Sequence, residues 1–382
     1  MKKILLIFSV ILLIFLSGCI PGDSNTDINY YTDGELKELI ADLIPDATVD
    51  TTYDLTSFQD AVTQVVEDTR DGVIGILTSS TYGSGSGSGV IYKAEGNVYY
   101  VVTNEHIMTY DDPSTLDVEE HYLADSTAIV YEKYGVLFEV KNEYIDIIGF
   151  DVTTDLAVLT FASNDEFSVI PLADSNEIAI GQFVFAVGNP LGFEYYGTIT
   201  MGIISGLTRY VNQGDFDATL LQHDASISPG NSGGALLNIN GELIGINNRK
   251  IIEEYVSDIG FAIPSNTVKR IITDLEDDGI VTRPFLGITS YAQYNMCGTD
   301  FGACVPGIID GGAAEAAGLI SGDTIIGFKN ILFDDFLEIM NFDDLREAIL
   351  NSQVGEEIQL RYIRDGITYD SLVTTLGTHP DD

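Results

Sequence analysis

Apolar and polar positions along the chain change period several times, and each change marks an element. Residues 4–16 form an apolar run interrupted only by Ser9 and preceded by Lys2 and Lys3. A membrane-spanning helix needs about 20 apolar residues, so this shorter run reads as the core of a signal peptide. Residues 19–54 are polar and acidic and read as a solvated tether, with apolar spacing for a short helix only at 35–44. Phe58, Val62, Val65 and Val66 recur at helical spacing and predict a helix over residues 56–69. From Val73 onward the pattern becomes short β-branched and aromatic runs punctuated by Gly, Asn and Asp. These predict strands at 72–77, 89–93, 98–103, 156–161, 183–187, 198–205, 235–239 and 243–246. Many short strands with turn signals between them indicate a barrel or sandwich, not alternating βα units. A helical period returns at 265–275. After Arg283-Pro284 comes a smaller mixed unit, with strands near 286–291, 307–309, 324–328, 357–363 and 367–373 and helices near 313–317 and 342–351. The chain thus divides into a signal segment (1–18), a tether (19–54), a mainly β domain (55–282) and a smaller α+β domain (283–377).

Composition narrows the partners. The 382 residues carry 59 acidic and 17 basic side chains, a formal charge of −42. A duplex nucleic-acid binder needs a basic face to release counterions, and no run of Lys and Arg is longer than a pair such as Lys2-Lys3, so nucleic acid is excluded as a partner. An apolar content of 45% supplies real cores despite the charge. Three cysteines are too few for a disulfide scaffold. No Asp-x-Asp-x-Asp-Gly calcium loop is present, and neither metal nor organic cofactor is expected.

Four histidines limit the candidates for a catalytic base. His379 sits in a polar tail, and His121 follows Glu119-Glu120 and reads as a solvated loop residue. His106 ends the apolar run 98–102 through Thr103-Asn104-Glu105, and His223, nine residues before Ser232, is its rival. Ser232 lies in Ser228-Pro229-Gly230-Asn231-Ser232-Gly233-Gly234-Ala235. A serine nucleophile needs a base for its proton and donors aimed at the developing oxyanion. Gly230 can adopt backbone angles closed to other residues, which lets its N–H and that of Ser232 share one cavity. The carboxylate that orients the histidine is expected at Asp155, just before Leu156-Ala157-Val158-Leu159, with Asp151 the alternative.

The segments Gly87-Ser88-Gly89-Val90-Ile91, Val102-Thr103-Asn104-Glu105-His106, Thr154-Asp155-Leu156-Ala157-Val158-Leu159, Gly188-Asn189-Pro190-Leu191-Gly192, Gly230-Asn231-Ser232-Gly233-Gly234 and Gly260-Phe261-Ala262-Ile263-Pro264-Ser265 occur in one order along the chain. In that order they resemble the HtrA (Deg) serine proteases. The resemblance runs from about Phe58 to Leu376. It implies a mainly β fold: a chymotrypsin-like double β-barrel protease domain followed by a smaller α+β PDZ domain. His106 would be the general base, Asp155 the orienting acid and Ser232 the nucleophile, with an oxyanion hole from Gly230 and Ser232 that Asn231 joins. Ile227, Ile244, Gly245 and Ile246 would line a specificity pocket for small or medium aliphatic side chains. Three features depart from the family pattern. His106 and Asp155 are 49 residues apart with the acidic stretch 111–120 between them, His223 stands where a Thr is usual, and the loop at 79–87 is short.

Phe285-Leu286-Gly287-Ile288 resembles the carboxylate-binding loop of PDZ domains, and Ala313–Gly327 their central helix, turn and strand. Such a domain adds the C-terminal peptide of a partner as an extra strand, with Leu345 and Ile349 lining its pocket. Leu16-Ser17-Gly18-Cys19 is similar to the prokaryotic lipobox, which implies lipidation at Cys19 and membrane attachment outside the cytoplasm; an ordinary signal peptide is the alternative. Cys297 and Cys304 can pair in that oxidising compartment or remain free thiols. The resulting expectation is a lipid-anchored, extracytoplasmic serine endopeptidase acting on misfolded polypeptides. By resemblance it forms a homo-oligomer, a trimer. The rival is a chaperone or peptide-binding protein with a latent protease site.

Overall fold

A computed structural model describes residues 55–111, 121–190, 195–213, 216–248, 259–289, 297, 299, 301–330 and 335–378. The signal segment, Cys19, the helix expected at 35–44, the acidic stretch beyond Asp111 and His379 lie outside the described residues. Helix α1 (Leu55–Thr69) places Val65 in the core and Phe58 against the ring of Phe183 at 5.3 Å. It is followed by strands β1 (Val73–Ser80), β2 (Gly83–Glu95) and β3 (Val98–Thr103), then a single helical turn α2 (Glu105–Met108). A small hairpin, β4 (Thr109–Asp111) and β5 (His121–Leu123), precedes β6 (Ser126–Lys133), β7 (Val136–Val140), β8 (Ile145–Asp151) and β9 (Leu156–Ala162).

These strands, without the small hairpin, form a seven-stranded antiparallel sheet in the order β7-β6-β1-β2-β3-β9-β8. Side chains from all seven meet in one cluster, including Ile76, Ile91, Val101, Ile129, Val140, Ile147 and Leu159. Both edge strands contribute, so the sheet wraps around a common core although β7 and β8 share no hydrogen-bonded ladder. The second half closes fully. Strands β10 (Phe183–Gly188), β11 (Thr198–Gln213), β12 (Phe216–His223), β13 (Ala235–Leu237), β14 (Leu243–Asn248) and β15 (Gly260–Pro264) make a barrel in the order β10-β11-β12-β15-β14-β13. Val184, Ala186, Ile204, Leu221, Leu236 and Ile244 pack together in one of its clusters. Helix α3 (Ser265–Asp277) then lays Val268, Ile271, Ile272 and Leu275 into a cluster that also holds Val90, Val102, Leu156, Val187, Ala235 and Ile246. That cluster draws on both halves. It joins them.

The strands of the sequence-based reading recur with altered limits. The run at 198–205 extends into a long hairpin with β12, and β6, β7, β8, β12 and β15 were not marked by periodicity. In β6, β7, β8 and β12 polar positions interrupt the alternation, and β15 is a short apolar run with Gly260 and Pro264 at its ends.

The C-terminal segment has a core of its own, built from Leu286 to Leu376 with Phe328, Leu345 and Leu360 fully buried. Its elements are β16 (Pro284–Phe285), β17 (Ala303–Cys304), α4 (Ala313–Ala316), β18 (Thr324–Lys329), β19 (Leu337–Glu338), α5 (Phe342–Leu350), β20 (Glu357–Arg364), β21 (Ile367–Asp370), β22 (Thr374–Thr375) and β23 (Gly377–Thr378). Asn341 caps α5 by accepting from the Asp344 N–H. Of the strand expected at 286–291, the described residues 286–289 carry a bridge between Ile288 and Ile308, with Gly287 turning the backbone at φ +82° against Gly312; residues 290–291 lie outside the described residues. Cys297 and Cys304 are joined, with Cα atoms 5.6 Å apart.

Candidate active site

The site is assembled from turns at strand ends. Thr103 ends β3, Asn104 precedes the helical turn α2 with extended backbone, and His106 is the second residue of that turn. Asp155 lies between β8 and β9 in the left-handed region, at φ +57°, a conformation that aspartate tolerates better than most residues. Its own N–H donates to Val152 O at 3.2 Å, and its carbonyl accepts from Asn104 Nδ2 at 2.9 Å. These bonds turn the carboxylate toward α2. There Oδ1 accepts the His106 backbone N–H at 2.8 Å, and Oδ2 lies 2.7 Å from His106 Nδ1. Asp155 is fully buried, and Asn248 Nδ2, at the end of β14, donates to Oδ2 at 2.7 Å. A proton on Nδ1 is therefore held by the carboxylate, which leaves Nε2 with its lone pair.

Asp151, the alternative acid, serves another purpose. Its Oδ2 accepts the Thr154 N–H at 3.0 Å, and its Oδ1 pairs with Arg283 at 2.5 Å. The carboxylate thereby fixes the turn that presents Asp155.

Ser232 is buried on a loop held from three sides. Ser88 N–H donates to Ser232 O at 2.8 Å, Ser88 Oγ to Gly230 O at 2.7 Å, and Gly233 N–H to Asn247 O at 2.9 Å. Gly230 has φ +101°, and a Cβ there would stand 2.4 Å from Asn189 O. Gly233 has φ +77°, and a Cβ would stand 2.2 Å from Ser88 O. Only glycine fits either place. The N–H groups of Gly230 and Ser232 make no hydrogen bond among the described residues, whereas the Asn231 N–H donates to Ser228 O at 3.0 Å. The expectation that Asn231 joins the oxyanion hole is corrected on that ground: its backbone donor is already engaged. Among the described residues no hydrogen bond links Ser232 Oγ to the His106 ring, whose bonds run to Asp155.

His223 makes no hydrogen bond to Ser232 among the described residues. It ends β12, its ring lies over Gly260, it is fully buried, and neither ring nitrogen has a hydrogen-bond partner among the described residues. Burial pushes its pKa down from 6.5 to about 4, opposed by the nearby Asp224 charge, the backbone at Ala225 and Phe261, and the Asn247 carboxamide. Those three uncharged groups approach the ring without hydrogen-bond geometry. His121, read from sequence as a solvated loop residue, is instead largely buried, with Nδ1 3.1 Å from Glu105 Oε1. Of the expected specificity residues, Ile227 packs beside the cluster that contains Ile244, while Ile246 is buried in the cluster between the two halves. Gly245 lies between them on β14, where the pairing with β13 shifts register.

In the C-terminal segment Leu286 and Leu345 are buried and Phe285, Ile288 and Ile349 half-buried. The carbonyls of Leu286 and Gly287 accept from Ala314 N–H and Ile309 N–H. Leu286, Gly287, Ile288, Leu345 and Ile349 line a cleft of about 2110 Å³ that also reaches Asp151 and Arg283. It does not open over Ser232. Asn248 was not singled out by sequence; its trace is a pair of polar residues, Asn247-Asn248, ending an otherwise apolar strand and fully buried.

A serine on a glycine-bound loop, a histidine held by a buried aspartate and a two-part β fold define a trypsin-like serine peptidase. A family model described as "Trypsin-like peptidase domain" matches residues 87–246. The chain is 33% identical over 339 residues to the Serine protease Do-like HtrA of Bacillus subtilis (strain 168), with 80% of this chain and 70% of the relative covered. It is 36% identical over 313 residues to the Serine protease Do-like HtrA of Lactococcus lactis subsp. lactis (strain IL1403), covering 76% and 71%. Among solved structures, "HtrA-type protease AlgW with tripeptide" aligns with a TM-score of 0.63 at 29% identity, over 83% of this chain and 97% of that one. The chain belongs to the HtrA family of serine proteases and is a serine-type endopeptidase.

Proposed function

We propose that the protein cleaves exposed segments of misfolded polypeptides outside the cytoplasm through Ser232, His106 and Asp155. In this reading His106 Nε2 takes the Ser232 hydroxyl proton as Oγ bonds to the substrate carbonyl carbon. The resulting oxyanion is held by the N–H groups of Gly230 and Ser232. When the C–N bond breaks, His106 returns the proton to the leaving amine, and a water then hydrolyses the acyl-enzyme by the same route. The observation that carries this reading is the 2.7 Å contact of His106 Nδ1 with Asp155 Oδ2, which fixes the tautomer the base requires.

The segment 283–377 is proposed to be a PDZ domain that takes C-terminal peptides beside Phe285, Leu286, Gly287 and Ile288, with Leu345 and Ile349 under the peptide. The solved relatives bearing a tripeptide or a decapeptide support a peptide partner. A location outside the cytoplasm is supported by the signal-like N-terminus and by a relative named "Probable periplasmic serine endoprotease DegP-like" from Chlamydia trachomatis serovar D (strain ATCC VR-885 / DSM 19411 / UW-3/Cx), 34% identical over 305 residues, 78% of this chain and 55% of the relative. Cys19 would carry the lipid anchor, and a homo-oligomer, a trimer, is proposed by family likeness.

A second reading, a chaperone with a latent protease site, is favoured by the missing hydrogen bond between Ser232 and His106. Catalytic hydrogen bonds often tighten only with substrate bound, so the protease reading stands first. The test compares wild type with Ser232→Ala on an unfolded protein: cleavage by wild type alone is expected. Equal cleavage by both would refute the assignment of Ser232. No cleavage by wild type, with or without C-terminal peptides, would favour the chaperone.

A further inference from the structure

The turn that carries His106 is too short to hold itself. Helix α2 is one turn of four residues, closed by the Thr109 N–H donating to Glu105 O. A single turn fixes several backbone angles for little hydrogen bonding in return. Its neighbours hold it. His106 N–H donates to Asp155 Oδ1 at 2.8 Å, Thr78 Oγ1 donates to Ile107 O at 2.8 Å, and Ala124 N–H donates to Met108 O at 2.9 Å. Three of the four residues are thus tied to other elements through their backbone. The fourth, Glu105, reaches out through its side chain.

Glu105 directly precedes His106 and is fully buried. A carboxylate so placed needs partners that offset its lost hydration. Its Oε1 accepts from Thr109 Oγ1 and lies 3.1 Å from His121 Nδ1. Thr109 begins β4 and His121 begins β5, with Thr109 opposite Leu123 and Asp111 opposite His121. Paired residues share a face of a hairpin, and so do residues two apart. The Thr109 and His121 side chains therefore stand on one face, and both meet the same carboxylate oxygen. His121 keeps only 11% of its side-chain surface exposed. The two strands flank the acidic stretch that lengthens the spacing between His106 and Asp155, so this contact belongs to a feature in which the chain departs from the family pattern.

We propose that Glu105 and His121 are positioning residues for His106: the carboxylate ties the β4–β5 hairpin to turn α2 and so holds the imidazole at its working angle to Ser232. The proposal rests on the endopeptidase reading of Ser232 and His106. Asp155 fixes the tautomer and the Nδ1 side of the ring. Where Nε2 points then depends on where α2 itself sits, and a misplacement of about 1 Å can cost up to about a hundredfold in rate. Glu105 acts through the backbone of the turn and not on the reacting atoms.

The test uses the full-length protein and one internally quenched peptide, with circular dichroism at the assay temperature so that turnover is expressed per folded molecule. His121→Ala is expected to lower kcat about tenfold and to leave KM within about twofold. His121→Asn, whose amide nitrogen takes the place of Nδ1, should restore kcat to within about twofold of wild type. The double variant His121→Ala with Glu105→Gln removes the buried charge without restoring the tie, and should stay about tenfold down. A pair that merely stabilised the fold would lower the melting temperature and leave kcat per folded molecule unmoved. Wild-type kcat in His121→Ala, a His121→Asn variant no faster than His121→Ala, or full recovery in the double variant overturns the positioning role while the endopeptidase stands. Failure of wild type to cleave the peptide overturns the endopeptidase reading itself.

Discussion

Asn248 and Asp155 are bound across the two halves of the protease domain: the Asn248 carboxamide, at the end of β14 in the closed barrel, donates to Asp155 Oδ2 at 2.7 Å. The same oxygen faces His106 Nδ1, so the second barrel helps aim a carboxylate that belongs to the first sheet. A hydrogen bond to a charged acceptor contributes about 1.5–3 kcal/mol. Asn248→Ala is expected to lower kcat by about tenfold or more with little change in KM, because it disturbs the base and not substrate binding. Asp155→Asn should be far more severe, roughly 10⁴-fold, since an amide can hold the imidazole in the wrong tautomer. Steady-state kinetics on one peptide substrate reads both, and an Asn248→Ala variant with wild-type kcat would remove Asn248 from the mechanism.

The loop that carries Ser232 tolerates no side chain at Gly230 or Gly233. Gly230→Ala would force a Cβ to within 2.4 Å of Asn189 O at a backbone angle of φ +101°. The loop must shift, and the Gly230 N–H shifts with it. Loss of one oxyanion donor lowers turnover by about 10²–10³-fold, and the strained angle costs about 1–3 kcal/mol. Activity should therefore fall further than the melting temperature implies. Chemical denaturation alongside kcat measurement separates the two effects; a folded Gly230→Ala variant with near-normal turnover would place the oxyanion donors elsewhere.

The candidate site is easier to read in the sequence than the fold around it. His106, Asp155 and Ser232 stand in short segments whose local chemistry is explicit: a polar cluster after an apolar strand, an acid before one, a serine between glycines. Closure of the second barrel was legible only as a count of short strands, since β12 and β15 carry Gln222, His223 and Phe261 where simple alternation fails. Asn248 was invisible for a different reason. Its partner is 93 residues away in sequence, and nothing local distinguishes an asparagine that reaches a buried carboxylate from one that ends a strand. His121 was misread because its burial depends on Glu105, a contact made by the pairing of β4 with β5 and not by its neighbours in the chain.

The link between Cys297 and Cys304 closes a loop of seven residues' separation within the C-terminal segment. On the chain-entropy relation, such a short loop stabilises by about 2.5 kcal/mol. Reduction should lower the unfolding temperature of that segment while leaving hydrolysis of a short peptide at Ser232 close to its starting rate. Calorimetry with and without reductant, with free-thiol titration of the unreduced, denatured protein, gives the answer. Two reactive thiols assigned to these positions before reduction would show that the link does not form.

His223 gives the protein an acid-sensitive stability that its surface charges do not. Its ring is fully buried with no partner on either nitrogen among the described residues, and its pKa is pushed down from 6.5 to about 4. Between those two values the unfolded chain takes up a proton at this residue that the folded chain refuses. The contribution is complete above about pH 6.5, is lost progressively as the pH falls, and is gone below about pH 4. Over 2.5 pH units this amounts to about 3 kcal/mol, at roughly 1.4 kcal/mol per unit. Many carboxylates titrate over part of the same range, so wild type alone cannot isolate the effect. His223→Leu supplies the reference, because it fills the space over Gly260 with no group to protonate. The unfolding free energy of wild type, minus that of the variant, is expected to shrink by about 3 kcal/mol between pH 7 and pH 4. Parallel curves over that interval would mean that the folded protein protonates His223 as readily as the unfolded chain does.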